Sequence, residues 1–530
     1  MTSLRFRTFC RALGALAVLV GTCNLGEAAT RVKSRPYVII NRNTANAGSA
    51  VWRVSQLCKA YNFPTGLPGG GVIGILELGG GWSQDDLDLF SARNNLPPIQ
   101  VTDVNVDGTT NDYGVDFQAD TEVALDIEAA AASYYYATGT MPTIKVFFAQ
   151  NSDASFKSVI EAAVAAKCDV LSISWGASEA VWKQQAPGSA QIVENAAIAA
   201  AASGMAIFAA AGDDSSGDDS VGNNVDVPAA CPHIIACGGT NKTKTTETVW
   251  GDGFQNDSGT GGGFSSIFPV QSFQLNAPKA PAGLGRMVPD ISACADPNTG
   301  MLIVSWGFES QVGGTSGVSP LYSGLFAAFG KKLGFVSPTL WKNPKAFVDI
   351  TKGSNGGYSA AIGADACTGL GVPNGVPLTQ LFTNYTPPPP PMVTASFANG
   401  ILTITGDAQP NNITMTYKQT KVSGVFTGAT VTIVPGDTST IVNGSSTGVA
   451  LEVGKLRYAV NANMGAGDDT ITFNSFFSST ITLALGDGND TASFLYNSIY
   501  TLLSIDGGAG SDVVTLLGNA IIKQTEVNVP

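Results

Sequence analysis

TEVALDIEAAAASYYYATG (residues 121–139), followed by TIKVFFA (143–149), is the stretch on which the fold turns. The first part predicts a helix, by composition and by the helical period of its apolar residues. The second is short and rich in β-branched and aromatic residues, which predicts a buried strand. The same alternation extends on both sides. GVIGILEL (71–78) reads as a buried strand, and the Asp-rich residues after it open a helix. A helix over 154–167, the strand VLSISW (170–175), a helix over 190–203 and the strand MAIFAAA (205–211) follow. Repeated strand-then-helix units predict an α/β domain with a doubly wound parallel sheet. In such sheets function gathers beyond the carboxyl ends of the strands.

The pattern stops at PPPPP (387–391), a stiff spacer that cannot join a sheet or helix. Beyond it helix signals nearly vanish, and Thr, Ser, Gly, Asn and Val alternate as in strands. The predicted layout is a signal segment (1–28), an α/β domain (29–384), a proline-rich linker (385–392) and an all-β domain (393–530). The signal rests on Arg5, Arg7 and Arg11, the apolar stretch ALGALAVLVGTC (12–23) and the small residues of GEAA. It implies a secreted or cell-surface protein. No later apolar run is long enough for an integral membrane span. The chain of 530 residues carries a net charge of −13 without basic runs, which argues against nucleic-acid binding. Outside the signal lie Cys58, Cys168, Cys231, Cys237, Cys294 and Cys367. Export permits disulfides among them, and buried free thiols are the other reading.

GGTSGVSP (313–320) sets Ser316 after two glycines and before an apolar helix. A helix N-terminus favours a developing negative charge, so Ser316 is a candidate nucleophile; a plain N-cap serine is the alternative. A nucleophilic serine needs a base. The one histidine, His233, sits in the apolar CPHIIACGG and reads as structural. The base is then a carboxylate. Glu122 and Asp126 stand four apart on the predicted helix and share a face. Their apolar neighbours predict burial, and two buried carboxyls share one proton with a raised pKa. That suits acid–base work in acidic solution; two surface acids are the alternative. Asp213, in AAAGDDSSGDD just after a strand, can donate to an oxyanion if protonated. A solvated acidic loop is its plain reading.

Taken in order, these segments resemble the sedolisin family, the serine-carboxyl peptidases with a subtilisin-like fold. The resemblance covers most of residues 50–380. AYNFPTGLPGGGVIGILELGGGW (60–82) looks like the family's mature start, and TEVALDIE (121–128) carries its Glu and Asp in the same order and spacing. SISWG (172–176), AAAGDDSSGDD (209–219), VPAACPHIIACGGT (227–240) and GGTSGVSP follow in family order. The resemblance implies Ser316 as nucleophile, Glu122 as general base, Asp126 as its partner and Asp213 as oxyanion acid, with Glu77 and Trp175 supporting the proton network. It implies protein or peptide substrates. FVDITKGSNGG (347–357) and IGADACTGLGVPNG (362–375) resemble the family's calcium loop. Ca2+ would take carboxylates from Asp349 and Asp365 and carbonyls from Ile350, Ala361 and Gly363. Ala361 stands where the family has Gly, and Ala364 where it has an aromatic residue. The family carries a long N-terminal prosegment, whereas about 30 residues separate the predicted signal from the mature-like start here.

In the tail, MGAGDDTI (464–471), LGDGNDTA (485–492) and GGAGSDVV (507–514) resemble the calcium-binding repeats of repeats-in-toxin proteins. Their final aspartates, Asp469, Asp490 and Asp512, recur at spacings of 21 and 22. That period predicts one loop per turn of a small solenoid or β-roll-like domain, with a second Ca2+ region along the stacked loops; metal-free Gly-Asp turns are the alternative. The tail is read as a module that binds a cell surface or matrix. The whole predicts an exported, acid-acting serine-carboxyl endopeptidase with a Ser-Glu-Asp triad. Its rivals are a non-catalytic surface or adhesion protein on a peptidase scaffold, and a subtilisin-type enzyme using His233.

Overall fold

The computed structural model describes residues 32–41, 51–251, 258–275, 285–387, 389–423, 425–437, 439–453 and 458–529. The predicted signal segment, with Cys10 and Cys23, lies outside the described residues. The chain divides into two units, Met1–Thr386 and Pro387–Pro530.

The first unit is built on an eight-stranded sheet. Its parallel strands run in the order Val101–Asn105, Thr143–Phe148, Val72–Glu77, Val170–Ile173, Ala206–Ala210, Ile235–Lys242. Ile291–Cys294 pairs parallel with the last of these, and Glu247–Val249 pairs antiparallel. The strand order reverses at Val72–Glu77, whose carboxyl end carries Glu77. A reversal of this kind leaves a crevice beyond the strand ends.

The deciding helix runs over Phe117–Thr138. It starts before the predicted Thr121 because the Asp116 side chain accepts from the N–H groups of Gln118 and Ala119 and caps it. It stops at Gly139, whose φ of 73° takes the left-handed region. Every residue from Ala119 to Tyr134 is buried. Its run of alanines suits a helix packed on all sides, because short side chains let neighbours approach. One neighbour is the helix Val318–Ala328. A Cβ at Gly324 would come within 2.5 Å of the Ala130 carbonyl, so only glycine permits this approach. Ser133 Oγ donates to the Leu321 carbonyl at 2.7 Å and ties the pair.

The predicted strand 170–175 ends at Ile173. The chain then leaves the main sheet, and Trp175–Ser178 pairs antiparallel with Asp226–Val227 on one side and Arg35–Pro36 on the other. All six cysteines of the described residues are buried and free.

The second unit is β-rich. One sheet sets Ile401–Thr405, Ala459–Asn463, Phe477–Asp487 and Ser498–Ala509 in parallel. The other sets Asn412–Val422, Thr470–Asn474, Thr491–Leu495 and Val513–Leu517 in parallel. Ile471 faces Ala492, which faces Val514, so the pairing register advances with the 21- and 22-residue spacing of the loops. Alternate residues point inward, among them Val460, Ile471, Phe473, Leu483, Phe494 and Leu503. Phe473 and Phe494 stack with centroids 4.8 Å apart.

Candidate active site

Ser316 lies in the turn before the helix Val318–Ala328, and Glu122 lies in the first half of the helix Phe117–Thr138. Their close packing brings Ser316 Oγ to 3.1 Å from Glu122 Oε2. Asp126, one turn on, accepts from Ser174 Oγ at 2.8 Å. Trp175 Nε1 donates to Glu77 Oε2 at 2.8 Å. Ser316, Glu122, Asp126 and Glu77 are each 0% exposed.

The three carboxyls have few donors. Glu77 Oε1, Glu122 Oε1 and Asp126 Oδ2 are buried without a hydrogen-bond partner. Burial pushes all three well above the usual carboxylate range. Asp126 and Glu77 raise Glu122 further, while the Ser316 hydroxyl bond pulls it back. Protons shared among the carboxyls turn acceptors into donors and satisfy the group, which anions alone would not.

Asp213 follows the strand Ala206–Ala210. Its Oδ1 accepts from Thr315 N at 2.8 Å and Thr315 Oγ1 at 2.9 Å. Its Oδ2 is buried and unpartnered. Burial lifts this acid to about 7, against the Thr315 bonds and the Arg35 charge. Below that pH its Oδ2 carries a proton that it can donate. Oδ2 borders Gly314, where a Cβ would sit 2.7 Å from it. The φ of 116° at Gly314 also favours glycine.

His233 is elsewhere. Its Nδ1 bonds Glu194 Oε1 at 2.6 Å, and its ring lies against Phe335 at 4.2 Å between centroids. Glu194 and Phe335 thus account for its polar and aromatic faces. Ser174 and Thr315 sit inside motifs quoted from the sequence, yet had no assigned role. Each is a hydroxyl next in sequence to a residue with a stronger local signal, and only the fold aims it at a carboxyl.

Asp349 and Asp365 meet on one loop. Asp349 Oδ2 accepts from Gly363 N at 2.7 Å and Asp365 Oδ2 from Ala361 N at 2.9 Å. Asp365 Oδ1 also accepts from Cys367 N and Thr368 N. Ala361 is not among the residues with positive φ, so its replacement of glycine is unstrained. A cavity of about 820 Å³ adjoins this loop, lined by Trp341, Phe347, Asp349, Ile362, Gly363 and Leu370. Among the described residues, no cluster of three or more His, Cys, Asp or Glu is arranged to hold a metal.

In the tail, Asp469, Asp490 and Asp512 form a ladder. Asn411 N donates to Asp469 Oδ1 at 2.7 Å, Asp469 N to Asp490 Oδ1 at 2.7 Å and Asp490 N to Asp512 Oδ1 at 3.0 Å. Each Oδ2 is buried and unpartnered. Burial raises Asp469 to about 7 and also raises Asp490.

Fold and site together define a serine peptidase of subtilisin-like architecture, and the model of the Subtilase family matches residues 108–342. Kumamolisin of Bacillus sp. (strain MN-32) is 40% identical over 387 residues, covering 66% of this chain and 68% of that protein. Sedolisin of Pseudomonas sp. (strain 101) is 30% identical over 333 residues, covering 57% of this chain and 56% of that protein. The match therefore spans little more than half the length of the Pseudomonas relative. The solved structure of Pseudomonas sedolisin (serine-carboxyl proteinase), complexed with two molecules of pseudo-iodotyrostatin, is similar with a TM-score of 0.57 at 28% identity. It covers 63% of this chain and 98% of that one. The chain belongs to the sedolisin family, and it is a serine-carboxyl peptidase. No helix among the described residues is long and apolar enough to cross a membrane.

Proposed function

We propose that the protein is an exported endopeptidase that cleaves proteins or peptides in acid through Ser316, Glu122 and Asp126. The observation that carries this reading is the 3.1 Å contact of Ser316 Oγ with a fully buried Glu122, with no imidazole bonded to either. Ser316 Oγ attacks the peptide carbonyl and passes its proton to Glu122. Asp126, held by Ser174, shares a proton with Glu122 and tunes it; Glu77 and Trp175 extend the same chain of protons. Asp213 Oδ2–H donates to the tetrahedral oxyanion. Glu122 then protonates the leaving amine, and water completes the second half.

Acid action follows from Asp213. Its donor proton is present below about 7 and is lost as pH rises through that value. The test is cleavage of a quenched protein substrate from about pH 2 to about pH 8, with wild type, Ser316→Ala and Glu122→Gln. An acid optimum lost in both variants is the expected outcome. Near-wild-type turnover in either sinks the assignment, and no cleavage by folded wild type favours the non-catalytic scaffold.

The Asp349 and Asp365 carboxylates accept from the N–H groups of Gly363 and Ala361, and with the carbonyls of Ile350, Ala361 and Gly363 they would supply an all-oxygen donor set of the kind Ca2+ takes. Bound there, calcium would fix the loop; no step of the reaction runs through it. The tail reads as a short two-sheet solenoid. Its orphaned, buried Oδ2 atoms at Asp469, Asp490 and Asp512 also fit Ca2+ or protons. Exposed Tyr496, Tyr500, Leu517 and Ile522 support its reading as a module that attaches the enzyme to a cell surface or matrix.

A further inference from the structure

The cavity of about 820 Å³ beside the loop 361–370 takes no part in the chemistry at Ser316. None of Ser316, Glu122, Asp126 and Asp213 lines it. Its volume falls within the roughly 300–1,000 Å³ of small-molecule sites. Trp341, Phe347, Ala364 and Leu370 form a buried wall. Phe273 adds a further ring, with its centroid 6.3 Å from that of Trp341. Ile362, 77% exposed, stands where the cavity meets solvent.

Ala364 stands where the family has an aromatic residue, and its side chain stops at Cβ. A missing ring leaves a void unless the surroundings close in, and here they are held apart. Trp341 Nε1 donates to Asp290 Oδ1 at 2.8 Å. Asp290 is itself fixed, because its Oδ2 pairs with the fully buried Arg286 and accepts from Ala236 N at 2.9 Å. Its carbonyl accepts from Leu370 N at 2.8 Å. Phe347 pairs antiparallel with Pro373. In the loop itself, the Asp365 carboxylate takes the N–H groups of Ala361, Cys367 and Thr368, which sets the turn that carries Ile362 and Ala364. The cavity is therefore preformed, as ligand sites usually are.

Its chemistry is divided between wall and rim. The indole N–H of Trp341 is the one polar side-chain group of the buried wall, and it already donates to Asp290. The wall thus offers a ligand apolar surface alone. Lys342 and Lys345 also line the cavity; both are exposed, and among the described residues neither forms an ion pair. Asp349 is the one acid in the lining, and its Oδ2 accepts from Gly363 N at 2.7 Å. Two cations against one carboxylate leave the rim positive. Lysine suits this place, since its stem can lie along apolar surface while its charge stays in water. We propose that the cavity binds a fatty acid, with the alkyl chain against Trp341, Phe347 and Leu370 and the carboxylate at Lys342 and Lys345. A flexible chain can follow walls that do not move, and the positive rim selects an anionic head. The inference does not depend on the peptidase chemistry.

The test titrates the full chain with decanoate near neutral pH, below its micelle concentration, by isothermal calorimetry. One decanoate per chain is expected. Octanoate should bind about tenfold more weakly, because it buries two fewer CH₂ groups. Decylammonium, which has the same chain and the opposite charge, should also bind about tenfold more weakly. Ala364→Phe should fill the cavity and abolish binding, with the fold checked by circular dichroism. Lys342→Ala with Lys345→Ala alters only exposed side chains and keeps the test open if Ala364→Phe does not fold. That pair should weaken decanoate about fivefold and narrow its advantage over decylammonium. Wild type that takes up no decanoate overturns the inference. So does equal affinity for decanoate and decylammonium, or decanoate binding that is unchanged in a folded Ala364→Phe chain or in the lysine pair.

Discussion

Both units of this protein bury carboxyl groups, and they satisfy them differently. In the first unit, Glu77, Glu122 and Asp126 face one another and receive one side-chain bond each, from Trp175, Ser316 and Ser174. In the tail, Asp469, Asp490 and Asp512 each accept a backbone N–H from the preceding turn. Burial raises acids in both places, so burial alone does not mark a reactive group. The donor does. A backbone amide holds a carboxylate in place for structure, whereas a hydroxyl beside a crowded, proton-sharing acid can lose its proton to it.

The sharpest way to break this contrast is to remove the hydroxyl of Ser316 or the acid it bonds, the proposed nucleophile and base. Ser316→Ala and Glu122→Gln are each expected to lower kcat/KM by about 10⁴-fold or more, with the fold retained by circular dichroism. Asp213→Asn should cost about 10²- to 10³-fold, because it removes the proposed proton donor to the oxyanion. It should also flatten the fall in activity near pH 7, which a pH–rate profile would reveal.

The tail tests the other side of the contrast. Asp490→Ala leaves the Asp469 amide without its acceptor and should cost the tail about 1–3 kcal/mol in denaturant unfolding, with peptide cleavage unchanged. Asp490→Asn keeps an acceptor for that amide, so it should cost less. It should also diminish any rise in the tail's Tm on adding calcium, as read by calorimetry with and without chelator. Equal losses from Ala and Asn would mean that the carboxylate charge, not the ladder bond, matters there.

The smallest effect expected is on stability against pH. Asp213 rises from an ordinary 3.8 to about 7 on folding. Between those values the native state holds more protons than the unfolded chain, so stability falls as pH rises. Thermal unfolding of the first unit should therefore occur at a lower temperature at pH 7.5 than at pH 4. For Asp213→Asn the difference should shrink.

Part of the geometry of the candidate site was legible in the chain. Glu122 and Asp126 share a face because the helix repeats every 3.6 residues, and the apolar residues around them announced burial. The spacing of 21 and 22 between the tail aspartates equals the step of the strand-pairing register in the β-rich unit. The end of the strand at Ile173 was not legible. VLSISW is one uninterrupted run, and it splits only because Trp175–Ser178 finds partners in distant segments. Nor did anything in SRPYVIIN (34–41) mark the segment that fills the crevice. An extended strand without alternation carries no local signal, and its partners lie more than a hundred residues away.

Residue type and local period by themselves determined the α/β order, the acidic pair on one helix face, the serine at the head of another and the repeat in the tail. Those properties depend on neighbours within a few positions. Tertiary structure alone decided that Ser316 meets Glu122 across 194 residues, that Thr315 holds one oxygen of Asp213 and leaves the other free, and that Tyr37 lies at the serine. Such contacts are set by close packing of helices and by strands that complete one another, and a linear chain does not record them until it folds.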